Sequence, residues 1–388
     1  MECHYYKRVS HARAAFMLTG ALLCAAWPSA SAKDAVTAVW PVDSAWTSNF
    51  PFGGEFALVL GQSRLFVVEP TQIAAHAWTD GAQLWKSGLK ATARPVADEG
   101  RVFIAADEQI HALSEVSGHL EWRLPTGTVS IAPAARAGWL IVANDSGLMR
   151  GASTSNGRVI WEKALPAPLA APPAIDGDLI VGAFADGRIS GWSITDGSER
   201  WTREVGTRPV QLLAASGQVF VAGEDGRLIS LRYRDGRQNW AYPFGMAIVG
   251  RLAADHLHVY ATTIDNSVRA HTFNGHQHWR QPLASRVVDG LLADAGSVFV
   301  PQSNGEIRIY LAERGTRSGR VISSPTDAVV LGGLVATGSG NDLRMAITTS
   351  AASRLTVTAY RRTGLGATGA VSGPPGPPLS LSRPGGRP

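Results

Sequence analysis

The chain reads as an all-β protein, an eight-bladed β-propeller of four-stranded antiparallel blades, and three observations carry that reading. A glycine followed four residues later by a tryptophan recurs six times: Gly81/Trp85, Gly118/Trp122, Gly157/Trp161, Gly197/Trp201, Gly236/Trp240 and Gly275/Trp279. Successive tryptophans stand 37, 39, 40, 39 and 39 residues apart. A period of about 40 residues marks one supersecondary unit copied around or along an axis. Each copy also carries a short apolar run followed by a tight-turn signal, in the same order every time.

Within one repeat the elements follow in sequence. The apolar run begins 17 to 19 residues past the tryptophan, as in Val102-Phe103-Ile104, Leu140-Ile141-Val142, Leu179-Ile180-Val181, Val219-Phe220-Val221 and Val298-Phe299-Val300. Runs this short, rich in β-branched and aromatic residues, read as strands buried on both faces. Turn signals come next: Asp145-Ser146-Gly147, Asp186-Gly187, Asp225-Gly226, Asp265-Asn266 and Asn304-Gly305. These residue types accept the positive φ that tight hairpins demand. A further strand follows, such as Arg188–Trp192, and a second turn leads into the strand that ends at the tryptophan. With the strand that opens each repeat, about four strands fit into one period, the content of a propeller blade.

A small residue precedes each motif glycine: Ala75, Ala112, Gly151, Gly191 and Ser230 six positions before it, and Ala270 five before. An indole needs a flat, uncrowded bed. Trp85, Trp122, Trp161, Trp201, Trp240 and Trp279 are therefore expected to pack on neighbouring small positions and tie blade to blade. Burying one indole removes about 200 Å² from water, several kcal/mol before entropy. The seventh copy keeps its spacing at Gly315 and Gly319, but glycine stands where tryptophan belongs. Met345–Ile347 and Leu355–Thr358 read as strands of an eighth unit, and Ala35–Trp40 as the N-terminal strand that closes it. A ring hides its edges best when both chain ends share the last blade. Seven blades is the alternative count.

The repeat runs through nearly all of the 388 residues, so a single propeller domain is expected over 33–362. Residues 1–32 read as a cleaved secretory signal, with Lys7, Arg8 and Arg13 ahead of an apolar stretch from Ala14 to Trp27 that is too short to span a membrane. Ala30-Ser31-Ala32 is the cleavage site, which places the mature chain in the periplasm or outside the cell. Both cysteines, Cys3 and Cys24, fall in the removed segment. Ala21-Leu22-Leu23 suits lipidation at Cys24 poorly. Cleavage leaves 33 basic against 30 acidic residues with no basic stripe, which argues against nucleic acid as a partner. The stretch 363–388 is rich in Gly and Pro and reads as a disordered tail.

The unit small-x5-Gly-x3-Trp, with its apolar strand and Asp-Gly or Asn-Gly turn, resembles the pyrroloquinoline-quinone (PQQ) propeller repeat, most closely at Ala112…Gly118…Trp122, Gly151…Gly157…Trp161 and Gly191…Gly197…Trp201. Two functional classes share that repeat. Quinoprotein dehydrogenases hold PQQ and calcium at the propeller axis. The BamB-like outer-membrane assembly factors carry no cofactor. Size, secretion and the cysteine-free mature chain favour the second resemblance. It implies a non-enzymatic scaffold that binds envelope proteins, with the β-barrel assembly machinery as its partner. The alternative it leaves is a PQQ- and calcium-dependent dehydrogenase of alcohols or sugars.

A search for chemistry nominates little. His256 and His258, and His276 and His278, each read as a pair on one strand face, half of a metal site. The D-x-D-x-D-G calcium loop, the nucleophile elbow, the phosphate loop and H-E-x-x-H are absent from the sequence. No catalytic, cofactor or metal residue is therefore assigned. Trp46, Trp78, Trp139 and Trp192 lie outside the repeat position. They are the candidate contacts of a third reading, a polysaccharide- or peptide-binding aromatic face, with strand packing the preferred role for Trp139 and Trp192.

Overall fold

The computed structural model describes residues 42–51, 57–288, 290–294, 296–323, 329–337, 344–351 and 354–362. The leader 1–32, the strand expected at Ala35–Trp40 and the tail 363–388 lie outside them. The described residues form eight four-stranded antiparallel sheets and no helix. Seven blades follow the chain in order, at 57–87, 96–125, 134–164, 174–204, 209–243, 248–282 and 292–323. The eighth joins Val329–Thr337, Arg344–Ala351 and Arg354–Arg362 to the N-terminal strand Val42–Pro51, which pairs with Arg354–Arg362 as the outermost strand. The closing strand is thus Val42–Pro51, downstream of the segment expected to play that part.

The first strand of every blade touches the first strand of both neighbours, and the eighth touches the first, so the ring closes around an axis. Buried apolar side chains gather in eight clusters, one at each junction between consecutive blades. Second and third strands supply most of them, because these lie mid-sheet and bury both faces; Leu179–Ala183 is buried at every position. The apolar runs of the sequence are these second strands.

The glycine and tryptophan of each motif serve different contacts. The tryptophan stands on the outermost strand, directly opposite the small residue of its own blade: Ala75 faces Trp85, Ala112 faces Trp122, Gly151 faces Trp161, Gly191 faces Trp201, Ser230 faces Trp240 and Ala270 faces Trp279. Across that bed the indole reaches an aromatic ring on the second strand where one is present. Trp85 lies 5.7 Å from Phe66, and Trp279 lies 5.7 Å from Tyr260. Its outer face meets the next blade's motif glycine. A Cβ on Gly118 would approach Trp85 to 2.5 Å, and one on Gly197 would approach Trp161 to 2.6 Å. These glycines also hold positive φ, 71° at Gly118 and 68° at Gly197, so turn geometry and indole contact both select glycine.

Candidate functional site

Two features offer themselves as functional surfaces, the blade junctions at the rim and the cavity on the axis. At the rim, each indole N–H donates to a backbone carbonyl of the following blade. Trp85 reaches Glu115, Trp122 reaches Thr154, Trp161 reaches Ile194, Trp201 reaches Tyr233, Trp240 reaches Phe273 and Trp279 reaches Ala312, at 2.7 to 3.1 Å. In six blades the accepting residue also donates its own N–H to the first hairpin turn of its blade, as Glu115 does to Gly100 and Ile194 to Asp178. The carbonyl that receives the indole is thereby fixed in place.

Trp46 belongs to this set. It stands opposite Ala359, donates to the Trp78 carbonyl at 2.8 Å, and lies where a Cβ on Gly81 would come within 2.6 Å of its ring. It is 8% exposed, as Trp161 is. The reading of Trp46 as a surface contact outside the repeat is corrected: it is the eighth blade's indole, and the aromatic-face reading loses it. Four residues before it stands Val42 rather than glycine, because the turn that would carry the glycine is replaced by the two chain ends. Trp139 and Trp192 are fully packed between the third and fourth blades, and Trp78 is half-buried against Trp46. Trp46, Trp139 and Trp192 thus present no open indole face to a ligand, and only Trp78 keeps partial exposure.

Glu115 adds a side-chain tie at the first junction. Its carboxylate is buried and accepts the Ser63 N–H at 2.5 Å, the Gln62 N–H at 3.1 Å and the Ser63 hydroxyl at 3.1 Å. Three donor contacts of this kind take the place of water around the buried carboxylate.

The histidines do not pair as expected. The strand begins at His258, which leaves His256 in the preceding turn, and His276 is likewise in a turn before Gln277–Pro282. His258 instead stacks on His278 at 4.8 Å and faces Asp255, which also accepts the Tyr260 hydroxyl at 2.6 Å. Burial, with Asp255 beside it, pushes the Tyr260 phenol well above its ordinary range. Among the described residues no group of three or more His, Cys, Asp or Glu is placed to hold a metal ion.

The axial cavity has a volume of about 830 Å³, within the range of small-ligand pockets. Its walls come from the first strands and the loops that enter them, and are mostly apolar: Leu58, Val96, Ile131, Leu252, Leu292 and Leu334 among others. Two guanidinium groups, Arg94 and Arg251, join the lining, and no Asp or Glu does among the described residues. Arg94 donates to the Leu58 carbonyl at 2.8 Å, which holds it across the junction of the first two blades. The sequence pattern held no pointer to these residues: a proline recurs at the start of several first strands, at Pro95, Pro133, Pro173 and Pro209, but nothing in it marks which side chains face the axis.

Against known proteins, the family model described as outer membrane protein assembly factor BamB matches residues 32–137 and 125–251. Outer membrane protein assembly factor BamB of Yersinia pestis is 26% identical over 227 residues, which span 51% of this chain and 58% of that protein. The chain thus aligns with a little over half the length of that relative. BamB of Nitrosomonas eutropha is 26% identical over 131 residues, 33% of this chain and 32% of that one. Among solved structures, BamB from Moraxella catarrhalis superposes with a TM-score of 0.63 at 15% identity, covering 84% of this chain and all (100%) of that one. A quinohemoprotein alcohol dehydrogenase from Pseudomonas putida superposes with a TM-score of 0.62 at 12% identity, covering 86% and 78%. At such identities the structural likenesses speak for the fold alone. Together with the repeat and the eight-bladed ring, the family match over more than half of the sequence establishes that this chain belongs to the outer membrane protein assembly factor BamB family of PQQ-repeat propellers.

Proposed function

We propose that this protein is a non-enzymatic scaffold of the bacterial envelope that serves the assembly of outer-membrane β-barrel proteins. The family match over 32–251 carries the reading. The leader 1–32 delivers the propeller to the periplasm, where it binds envelope proteins, the β-barrel assembly machinery among them. The architecture suits that work. Each blade ends in a free outer strand, and turns project from both faces, so a partner gains backbone hydrogen bonds or loop contacts without disturbing the core. Among the described residues no helix is long and apolar enough to cross a membrane.

The lining of the axial cavity weighs against the quinoprotein alternative. A calcium ion takes six to eight oxygen ligands, carboxylates foremost. The described lining supplies apolar side chains, Ser130 and two arginines, a donor set that does not fit calcium beside a quinone. Affinity purification of the tagged full-length protein from envelope fractions is expected to recover components of the β-barrel assembly machinery. Recovery of none, under conditions that retain a known member, overturns the proposal. Dye-linked dehydrogenase activity after reconstitution with PQQ and Ca²⁺, on a panel of alcohols and sugars, would replace it with the quinoprotein reading.

A further inference from the structure

We infer that Asn274 is a site of spontaneous deamidation, and that its isoaspartate product loosens the junction between the fifth and sixth blades. This goes beyond the scaffold reading and does not depend on it. An asparagine is open to attack by the next backbone nitrogen when its successor is glycine, because no Cβ crowds the approach. The sequence holds three such pairs, Asn156-Gly157, Asn274-Gly275 and Asn304-Gly305, and all three asparagines are exposed. What separates them is how each side chain is held. Asn156 Oδ1 accepts the Arg158 N–H at 3.0 Å, and Asn304 Oδ1 accepts the Glu306 N–H at 3.2 Å. The same clasp closes the motif turns of the first, fourth and fifth blades through Asp80, Asp196 and Asp235, at 3.0 to 3.1 Å. The Asn274 side chain has no hydrogen-bond partner among the described residues. Its turn is one residue shorter: the Gly157 N–H reaches back to the Ser153 carbonyl, whereas the Gly275 N–H reaches only to that of Thr272.

A clasped carboxamide must give up a hydrogen bond before it turns its Cγ towards the glycine nitrogen, and the Asn274 carboxamide gives up none. The bonds of the glycine N–H groups do not tell the sites apart, since Gly157, Gly275 and Gly305 all donate to a carbonyl of their own turn. In the reaction the Gly275 nitrogen bonds to Asn274 Cγ, the Cγ–Nδ2 bond breaks, and ammonia leaves with the proton that the Gly275 nitrogen gives up. Water then opens the succinimide at Cγ to give aspartate, or at the backbone carbonyl to give isoaspartate. No oxidant or reductant takes part. Isoaspartate carries the main chain through its Cβ and Cγ, one atom longer than before. That extra atom falls in the turn that receives Trp240. The Phe273 carbonyl accepts the Trp240 N–H at 2.8 Å and the Gln218 amide at 3.1 Å, and a Cβ on Gly275 would come within 2.7 Å of the indole. Phe273 and Gly275, on either side of Asn274, thus hold the indole between them, and lengthening the chain there displaces one or both.

The test ages the purified full-length protein in warm, mildly alkaline buffer and follows each Asn-Gly pair by peptide mass mapping, with isoaspartate read by isoaspartyl methyltransferase labelling. Asn274 is expected to convert at least roughly tenfold faster than Asn156 and Asn304, the scale of one hydrogen bond in the barrier. In urea the three rates should come together. Asn274→Gln should abolish most of the isoaspartate formed by the folded protein, and Asn156→Gln should leave it nearly unchanged. Amide exchange in the strand Gln238–Pro243, which carries Trp240, should be faster in the isoaspartate fraction than in fresh protein. Conversion of Asn156 or Asn304 as fast as Asn274 in the folded state overturns the inference. So does an Asn274 that stays intact while the urea-unfolded chain converts, and so does unchanged exchange at Gln238–Pro243 in the isoaspartate fraction.

Discussion

Each indole satisfies three demands at once, a small residue beneath it, a glycine against its outer face and a carbonyl for its N–H. Removing one leaves a cavity, an uncovered glycine and an unpaired carbonyl together. Truncation of a buried aromatic costs about 3–5 kcal/mol. Trp46 and Trp161 share the same geometry and the same 8% exposure, so Trp46→Ala should cost as much as Trp161→Ala, to within about 1 kcal/mol. Urea unfolding of the two variants checks this, and a loss for Trp46→Ala less than half that of Trp161→Ala would show that the eighth indole is not a full tie. A second residue sets a pH dependence. His271 lies fully buried among Trp240, Tyr242 and Phe244, with the Tyr242 ring at 4.4 Å. Burial, reinforced by the positive charge of Arg269, lowers its pKa from 6.5 to about 4. The unfolded chain therefore takes up a proton that the folded one refuses. Stability from the neutral imidazole is complete above pH 6.5 and is lost as pH falls from there towards 4, to a total of about 3 kcal/mol. His271→Leu should remove that part of the acid sensitivity. Comparing unfolding at pH 7.5 and 4.5, the variant should lose about 2–3 kcal/mol less than the natural protein; identical losses would mean that His271 reaches water before the chain unfolds.

Among the elements, the seventh blade shows how a repeat departs from its own pattern and stays packed. Gly319 takes the tryptophan's place in Arg317–Ser323, and six residues before Gly315, where other blades carry Ala, Gly or Ser, stands Ile309, at the point where the ladder between Glu306–Leu311 and that strand shifts register. Ile309 is buried in the junction with the eighth blade, beside Leu334, Met345 and Tyr360. The bulk has moved from the outermost strand to the third. Moreover, the eighth blade has no turn between its third and outermost strands, so no motif glycine waits to receive an indole. Gly319→Trp should therefore destabilise by about 1–3 kcal/mol through overpacking, and Ile309→Ala in the same chain should return part of that loss. A stabilised Gly319→Trp single variant, measured by urea unfolding, would show that the space is open. The same logic explains what was legible in the sequence. The period, the Asp-Gly turns and the apolar second strands come from local rules that hold in every blade, and they appear in the sequence as plainly as in the ring. The closing strand and its Trp46 escape the repeat pattern because their signature, glycine four before tryptophan, is broken at Val42 by the chain ends themselves. The His256/His258 pairing failed because the strand begins at His258, a boundary that alternation alone does not locate. Arg94 and Arg251 had no signal at all: the first strands meet only around the axis, and nothing in their local sequence records which residues face it.

At the scale of the ring, the junctions are not equal. Seven carry an indole bonded to the next blade, from the eighth-to-first junction at Trp46 through the sixth-to-seventh at Trp279. The seventh-to-eighth junction carries none and is sealed by the aliphatic cluster around Ile309, Ile347 and Met345 with Phe299 and Tyr360. A closed ring shares strain among its junctions, and it opens first where a junction lacks a directional bond that spans it. The eighth blade has a further peculiarity, for its outermost strand comes from the other end of the chain. Its ladder from Val42↔Arg362 to Pro51↔Arg354 closes a loop of nearly the whole sequence. Such long-range pairing recovers little of its closure entropy until the rest of the ring is in place, so it forms late and yields early. The expected outcome is a graded pattern of amide hydrogen exchange. Strands of the eighth blade and the facing strands of the seventh, Ser297–Pro301 and Glu306–Leu311, should exchange through a sub-global opening at lower free energy than Leu179–Ala183 and Gln218–Gly223 in the fourth and fifth blades. Trp46→Ala should widen the difference, because it loosens the eighth blade on its remaining side. Uniform protection of all eight blades, in both the natural protein and that variant, would show that the ring opens as one unit and that the aliphatic junction is as strong as the indole-bonded ones.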